Sequence, residues 1–559
     1  MDDEGVDPGD DANPDEDANA AGGERDEPRV GVDWRDWGAD AFAEARDRDA
    51  PLLLSLTATW CSACHEMDRE TFADPRVAAV VGDSYVPVRV DVDRHPRVRE
   101  RYNMGGFPST VFCTPTGEVL TGATYLGPDG MKSVLDRVRD TWVEHGDSAG
   151  TVPRALAGDP TPAGEVTSAI EEHLAGQLEA QYDHEFGGWG TDAKFPLPRT
   201  IEFALKRERN QALTTLDVVE RNLFDPVDGG FFRYAGSRDW GDVEREKRLA
   251  TNAALVRAFA NGYLYTGDER YRQTASATVD FLTDDLWTGR AVGGSLGPAD
   301  ESGYYTLSAD ERREAAPPRR DLTEYAGDNG LAAEAFLTLA AYTDDDGARA
   351  AAERILDFLR TELIHDGVVT RYRTGDERGE RGLLEDHARV AAAFCRAEQV
   401  LGEGVETACA VVDHAVETLH DDGSFRDGPR DGAGLLDHPL RPIDGNVELA
   451  ETCLDLAALT DDETYRDVAH ETVAAFAGAA DRFGVQVAGY GSVAARLCRP
   501  DLVIDVPEGD DLHRAALRVA DHERVIVPGE RSDARVRVGD ERRTATTPDE
   551  LMTKVSEIS

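Results

Sequence analysis

Lysine is nearly missing from this sequence. Its 559 residues hold five, Lys132, Lys194, Lys206, Lys247 and Lys554, so arginine carries almost all the positive charge. Basic clusters are missing as well, which excludes a nucleic-acid partner, because neutralising phosphates requires them. No apolar run reaches the ~18 residues of a membrane span, so no membrane partner is expected. Residues 1–28 are acidic, punctuated by proline and glycine, and lack the charged-then-apolar layout of an export signal. They are expected to form a disordered tail, and the protein to be cytoplasmic. Cysteine is scarce, with seven in the chain. In a reducing compartment these do not read as a disulfide framework. Only Cys61 and Cys64 have motif spacing. Cys395, Cys409, Cys453 and Cys498 sit in Ala/Leu-rich helical stretches and are expected in the core. No second Cys/His pair completes a zinc site, so neither a metal nor a cofactor is expected.

What abounds is acid. Aspartate and glutamate number 110 against 60 basic side chains, a formal net charge of −50. The acids run the whole length rather than forming one patch, which argues against a single basic partner. With the shortage of lysine they point to adaptation to molar salt, where the Debye length falls to roughly 3 Å and surface charges stop repelling at a distance.

The stretch that carries chemistry is CSACH (61–65). Cys-x-x-Cys-His fits haem attachment, and Trp-Cys-x-x-Cys fits a thiol–disulfide site. The flanks separate the two. PLLLSLTATW (51–60) reads as a buried strand ending at Trp60, and Met67, Phe72, Val77, Val80 and Val81 follow at helical spacing. Residues 85–93 read as another strand. Residues 102–120 read as a Gly-Gly turn, Phe107-Pro108 and two strands around Thr116-Gly117, and 129–145 as a final helix. This βαβαββα order is the thioredoxin topology, and it excludes haem, as does the lack of an export signal or an axial methionine segment. A thiolate at a strand–helix junction feels free N–H groups and the positive end of the helix dipole. Cys61 is therefore expected to be the nucleophile and Cys64, one turn on, the resolving thiol. Pro108 would face them from a cis-proline loop, leaving the Phe107 backbone free to pair with an extended substrate. His65 is expected on the helix surface.

CSACHEMDRETFADPRVAAVV, with DVDRHPRV (91–98), GGFPSTVFCTPTGEVL (105–120) and TYLGP (124–128), resembles the spermatogenesis-associated thioredoxin-like protein family. The resemblance implies that this α/β domain, residues 29–147, is joined to an (α/α)6 toroid of the six-hairpin glycosidase-like kind.

Beyond a linker at 148–165, residues 166–500 lose strand alternation. Amphipathic helical segments replace it, starting near 166, 199, 211, 249, 268, 329, 347, 383, 405, 447, 463 and 486. Glycine-turn loops recur between them, at 185–195, 225–234, 291–297, 365–373 and 421–429, as in a helical-hairpin array. Six hairpins closing into a ring give an all-α toroid. The resemblance extends to GGWGTDAKFP (187–196), DGGFFRY (228–234), EREKRLATNAAL (244–255), DNGL (328–331), LEDHA (384–388) and DGNVELA (444–450). These supply the pocket candidates: Asp192, Lys194, Glu246, Lys247, Asn252, Asn329, Glu385, Asp386, His387 and Asn446. Lys194 and Lys247 stand out because lysine is so rare here. Four positions depart from the family pattern: Glu244 replaces a histidine, Ala250 and Thr251 a Tyr-Asp pair, and His387 a tyrosine. A step that used that histidine would be lost or rearranged. Residues 501–559 read as a small α/β segment, with strands at 501–509 and 522–530 around a helix at 510–520.

The expected function is a thiol–disulfide oxidoreductase domain with a redox partner protein, fused to a toroid that binds a sugar-like or other polar small molecule. The rival is a carbohydrate isomerase, epimerase or hydrolase with a merely docked first domain, drawing its carboxylates from Asp192, Glu246, Glu385 and Asp386. A non-catalytic binding scaffold is the third reading.

Overall fold

A computed structural model describes residues 31–156, 162–298 and 303–558. The acidic stretch 1–28 and residues 157–161 of the expected linker lie outside the described residues.

The first domain is built on β1 (Arg35–Asp36), β2 (Leu52–Thr57), β3 (Val86–Asp91), β4 (Ser109–Cys113) and β5 (Val119–Ala123). They lie in the order β1-β3-β2-β4-β5, the first three parallel and β4 and β5 antiparallel. Helices α1 (Ala39–Arg48), α2 (Ser62–Met67), α3 (Pro75–Ser84), α4 (Pro96–Tyr102) and α5 (Pro128–His145) surround this sheet. The strand β2 is apolar throughout because both its faces are covered. Leu52, Leu54 and Leu56 pack with Phe42 of α1 and Tyr102 of α4, while Leu53 packs with Val77 of α3 and Leu135 of α5. This is the thioredoxin arrangement. Strand β1 and helix α1 add to the elements expected from the sequence, and α4 is the second helix of the expected order.

The helices that follow pair as hairpins. The inner members are α7 (Pro198–Arg207), α9 (Leu249–Thr266), α12 (Ala326–Thr343), α14 (Leu384–Leu401), α16 (Ile443–Thr460) and α18 (Ala488–Cys498). Their outer partners are α8 (Arg209–Leu223), α10 (Glu269–Asp285), α13 (Asp346–Phe358), α15 (Val405–Leu419), α17 (Glu463–Ala477) and, for α18, the first ring helix α6 (Ser168–Gln181). A short helix α11 (Ala309–Glu314) lies in the connection before α12. Each inner helix touches the next, and α18 touches α7, so the ring closes. Of the inner helices, α9, α12 and α16 are buried over most of their surface, which explains their apolar, weakly amphipathic sequences, whereas α7 is strongly amphipathic. Gly330 of α12 shows how close they come: a Cβ there would stand 2.7 Å from the Arg389 carbonyl of α14. These helices begin within four residues of the expected starts. The chain is thus a thioredoxin-like domain followed by a six-hairpin toroid.

Both mouths of the ring are covered. The first domain sits where the inner helices begin. There Arg101 on α4 bonds Asp427 at 2.6 Å and the His438 carbonyl at 2.7 Å, and Leu435 and Leu436 of the ring join the first domain's core. The C-terminal segment sits where they end. Its four strands, in the order 525–529, 502–507, 534–538 and 541–545, carry α19 (Asp511–Leu517) and α20 (Pro548–Ile558). The strands at 534–545 and α20 go beyond the two strands and one helix expected. His513 bonds the Gln399 carbonyl at 2.8 Å, and Tyr265 bonds His522 at 2.9 Å. Among the described residues no helix is long and apolar enough to cross a membrane.

Candidate active site

Buried β2 ends at Thr57, and a short turn delivers Trp60 and Cys61 to the start of α2. Cys61 is the N-cap: its Sγ accepts the Cys64 backbone N–H at 3.1 Å, an acceptor role that a sulfur with negative charge fills best. The helix continues through a π turn over Asp68–Phe72 before α3. Cys61 and Cys64 are joined as a disulfide, with Cα atoms 5.2 Å apart. Both cysteines are buried, Cys61 at 5 % and Cys64 at 3 % exposure, while Ser62 between them in sequence is exposed. Phe107-Pro108 is a cis peptide, and the Phe107 ring meets Trp60 edge to face, centroids 5.7 Å apart.

Trp60 links this centre to the ring. Its indole N–H donates to Asp93 Oδ2 at 2.6 Å, and Asp93 Oδ1 accepts from Arg248 at 3.1 Å. Arg371 donates twice to the Asp93 carbonyl, at 3.0 and 3.1 Å, and once to Asp386 at 2.7 Å. Arg233 bonds Glu246 at 2.9 Å. Three of the expected ring residues, Glu246, Glu385 and Asp386, therefore gather at the seam with the first domain. Burial disfavours charge on both carboxyls of the 385–386 pair. It pushes Asp386 up to about 6, whereas for Glu385 the cations Arg389 and Arg371 outweigh burial and bring it down to about 2.

The other candidates have different places. Asp192 is exposed on its loop. Lys194 and Lys247 are wholly enclosed. Lys194 bonds Asp183 at 2.9 Å and the Gly190 carbonyl at 2.7 Å, and Lys247 bonds Asp225 at 2.7 Å and the Gly229 carbonyl at 2.6 Å. Each pins a glycine turn that follows an outer helix. This corrects the expectation that they line a pocket; a compact ammonium fits where a guanidinium would not. The asparagines are clasps. At the fourth residue of α9, Asn252 accepts the Phe231 N–H at 2.6 Å and donates to its carbonyl at 3.1 Å. In the same position of α12 and α16, Asn329 and Asn446 hold Val292 and Phe425 in the same way, at 2.7–2.9 Å. His387 takes that position in α14, accepting the Val369 N–H and donating to the Leu383 carbonyl at 2.8 Å. Burial lowers its pKa to about 4, so it is neutral.

Inside the ring, a chamber of about 70 Å³ is lined by six arginines and six carboxylates. Four of the arginines pair with carboxylates of the lining: Arg199 with Glu451 at 2.5 Å, Arg257 with Glu202 at 2.8 Å and Glu334 at 2.6 Å, Arg389 with Glu448 at 3.1 Å, and Arg496 with Asp455 at 2.8 Å. None of the ring candidates named from the sequence lines it. The residues that sequence reasoning missed, Asp93, Arg233, Arg248 and Arg371, are mostly arginines. In a chain where arginine is the ordinary cation, none of them stands out.

Residues 25–157 match the family model Thioredox_DsbH, described as a protein of unknown function, DUF255. The resemblance read from the motifs holds. The chain is similar to human "Spermatogenesis-associated protein 20", 28% identical over 292 residues, a match covering 46% of this chain and 37% of that protein. The match thus spans little more than a third of that relative's length. A 103-residue segment is 32% identical to "Thiol:disulfide interchange protein DsbD 1" of Pseudomonas aeruginosa, covering 18% of this chain and 17% of that one. Among solved structures, the cellobiose 2-epimerase of Bacillus thermoamylovorans B4167 is similar at 12% identity and a TM-score of 0.44, over 55% of this chain and 86% of that one.

Proposed function

We propose that the protein is a thiol–disulfide oxidoreductase. The observation that carries this reading is the Cys61–Cys64 disulfide at a helix start, with Phe107 packed against the adjoining Trp60. In the reduced protein the Cys61 thiolate attacks a partner disulfide and releases one partner thiolate. The Cys64 thiol then attacks the mixed disulfide and frees the second, so the partner gains two electrons and the Cys61–Cys64 bond re-forms. An external dithiol restores the reduced state. The similarity of this region to a thiol:disulfide interchange protein supports the reading. A cytoplasmic, salt-rich setting belongs to the same proposal, supported by the net charge of −50 and the shortage of lysine. The test is insulin reduction by the full chain in molar potassium chloride with dithiothreitol as electron source. Wild type should turn over, whereas Cys61→Ser and wild type behaving alike would end the proposal.

A second reading, that the ring binds a small polar molecule, is favoured by the charged chamber. Its volume of about 70 Å³ admits a few water-sized groups. A panel of sugars and small carboxylates, scored by thermal shift of the full chain, tests it; a panel without a shift would remove it.

A further inference from the structure

We propose that Arg233 and Arg248, which belong to the ring, are positioning residues of the Cys61–Cys64 centre, so that the two domains share one site. The inference rests on the redox reading above. Trp60, the residue before Cys61, is 4 % exposed and has two guanidiniums against its ring. The Arg233 guanidinium carbon stands 4.5 Å from the Trp60 ring centroid, and that of Arg248 stands 4.8 Å away. Each cation is held from its other side by a carboxylate, Glu246 for Arg233 and Asp93 for Arg248. Asp93 also accepts the indole N–H, so the Arg248–Asp93–Trp60 chain fixes the ring of the residue that precedes Cys61.

Guanidinium–indole contacts of this kind are each worth about 0.5–2 kcal/mol, enough to hold one orientation. The charged and titratable groups on the surrounding elements include His65 and Glu66 from α2, Asp91 at the end of β3, Asp93 and Arg94 from the turn after it, and Arg233, Glu244, Glu246, Arg248 and Arg371 from the ring. The loop 103–108 brings Met104 and Phe107, which carry no charge. Arg233 and Arg248 each cover one carboxylate of this set, Glu246 and Asp93. Removing either guanidinium therefore acts twice: a positive charge leaves, and its carboxylate partner is uncovered. Both effects disfavour a thiolate at Cys61.

The experiment is iodoacetamide alkylation of the reduced full-length protein across pH, read as the mass of the Cys61 peptide. The variants are Arg233→Met, Arg248→Met, the matching Lys forms, and Arg272→Met as control. Arg272 lies on outer helix α10 and pairs with exposed Glu269. The apparent pKa of Cys61 should rise by about half to one unit in each Met variant. The Lys variants should stay near wild type, because they keep the charge, and the control should not move. Circular dichroism checks folding. If one Met variant does not fold, the other Met variant and the Lys forms decide the matter. An unchanged Cys61 titration in the folded Met variants, or an equal rise in the control, would overturn the inference while leaving the redox reading intact. Insulin left unreduced by wild type would instead strike at that reading and take this inference with it.

Discussion

Trp60 and Asp93 are joined by an indole-to-carboxylate hydrogen bond of 2.6 Å, made inside the first domain and completed from outside it by Arg248. A bond with that geography ties the residue before the disulfide to the segment that leads into α9 of the ring.

Asp93→Ala should therefore disturb both folding and turnover. It leaves the Trp60 N–H and the Arg248 guanidinium without their acceptor, an expected loss of about 1–3 kcal/mol. Urea unfolding measures that loss. Insulin reduction should slow in the same variant, whereas Asp93→Asn, which keeps an acceptor for Trp60, should retain more of both.

The enclosed lysines should prove structural. Lys194→Met leaves Asp183 with Arg238, and Lys247→Met leaves Asp225 with Arg312, as the remaining cation. A buried carboxylate stripped of all compensation costs about 3–5 kcal/mol, so each variant should lose about 2–3. Replacement by arginine should not restore stability, because both ammonium sites are wholly enclosed. Disulfide reduction by the folded fraction should stay at the wild-type rate.

The clasps permit a sharper contrast. Asn446→Ala uncovers the Phe425 N–H and carbonyl together and should lower stability by about 2–4 kcal/mol. His387→Asn puts the side chain found at this position of α9, α12 and α16 into α14. It should cost less than His387→Ala, with melting temperature as the measurement.

Asp91 gives a pH signature. Burial first, then Asp93 and Asp321, push its carboxyl up to about 7. Unfolded, it titrates near 4. The folded protein holds this proton where the unfolded chain releases it, so stability falls as pH rises from about 4 to about 7 and is flat above that. Asp91→Asn keeps an oxygen for the Asp93 and Arg94 N–H groups, now accepted at 3.0 and 3.3 Å. Its melting temperature should decline less than that of wild type between pH 4.5 and 7.5.

Much of the architecture was legible because it rests on local signals. Trp60, Cys61 and Cys64 stand where an apolar run turns into helical spacing, and the ring helices carry amphipathic faces with glycine turns between them. The rarity of lysine marked Lys194 and Lys247 as special, yet contrast in composition does not distinguish a pocket from a pin. The fourth-position asparagines repeat only when the helices are superposed, so in the sequence Asn329 and Asn446 read as isolated polar residues. The seam was illegible for a different reason. Asp93 meets Arg248 and Arg371 across distant parts of the chain, and no periodicity connects them. ARVRV (534–538) does alternate, but its arginines hid it among charged neighbours.

The pairing of α6 with α18 has a bearing on how the chain matures. His173 on α6 reaches the Phe483 carbonyl across 310 residues. During synthesis, Ile170, Leu174 and Leu178 must wait for almost the whole toroid to emerge before α18 completes their cover. The nascent protein therefore passes through a long interval with a sticky, unsealed gap, when chaperone capture or premature association is most favoured.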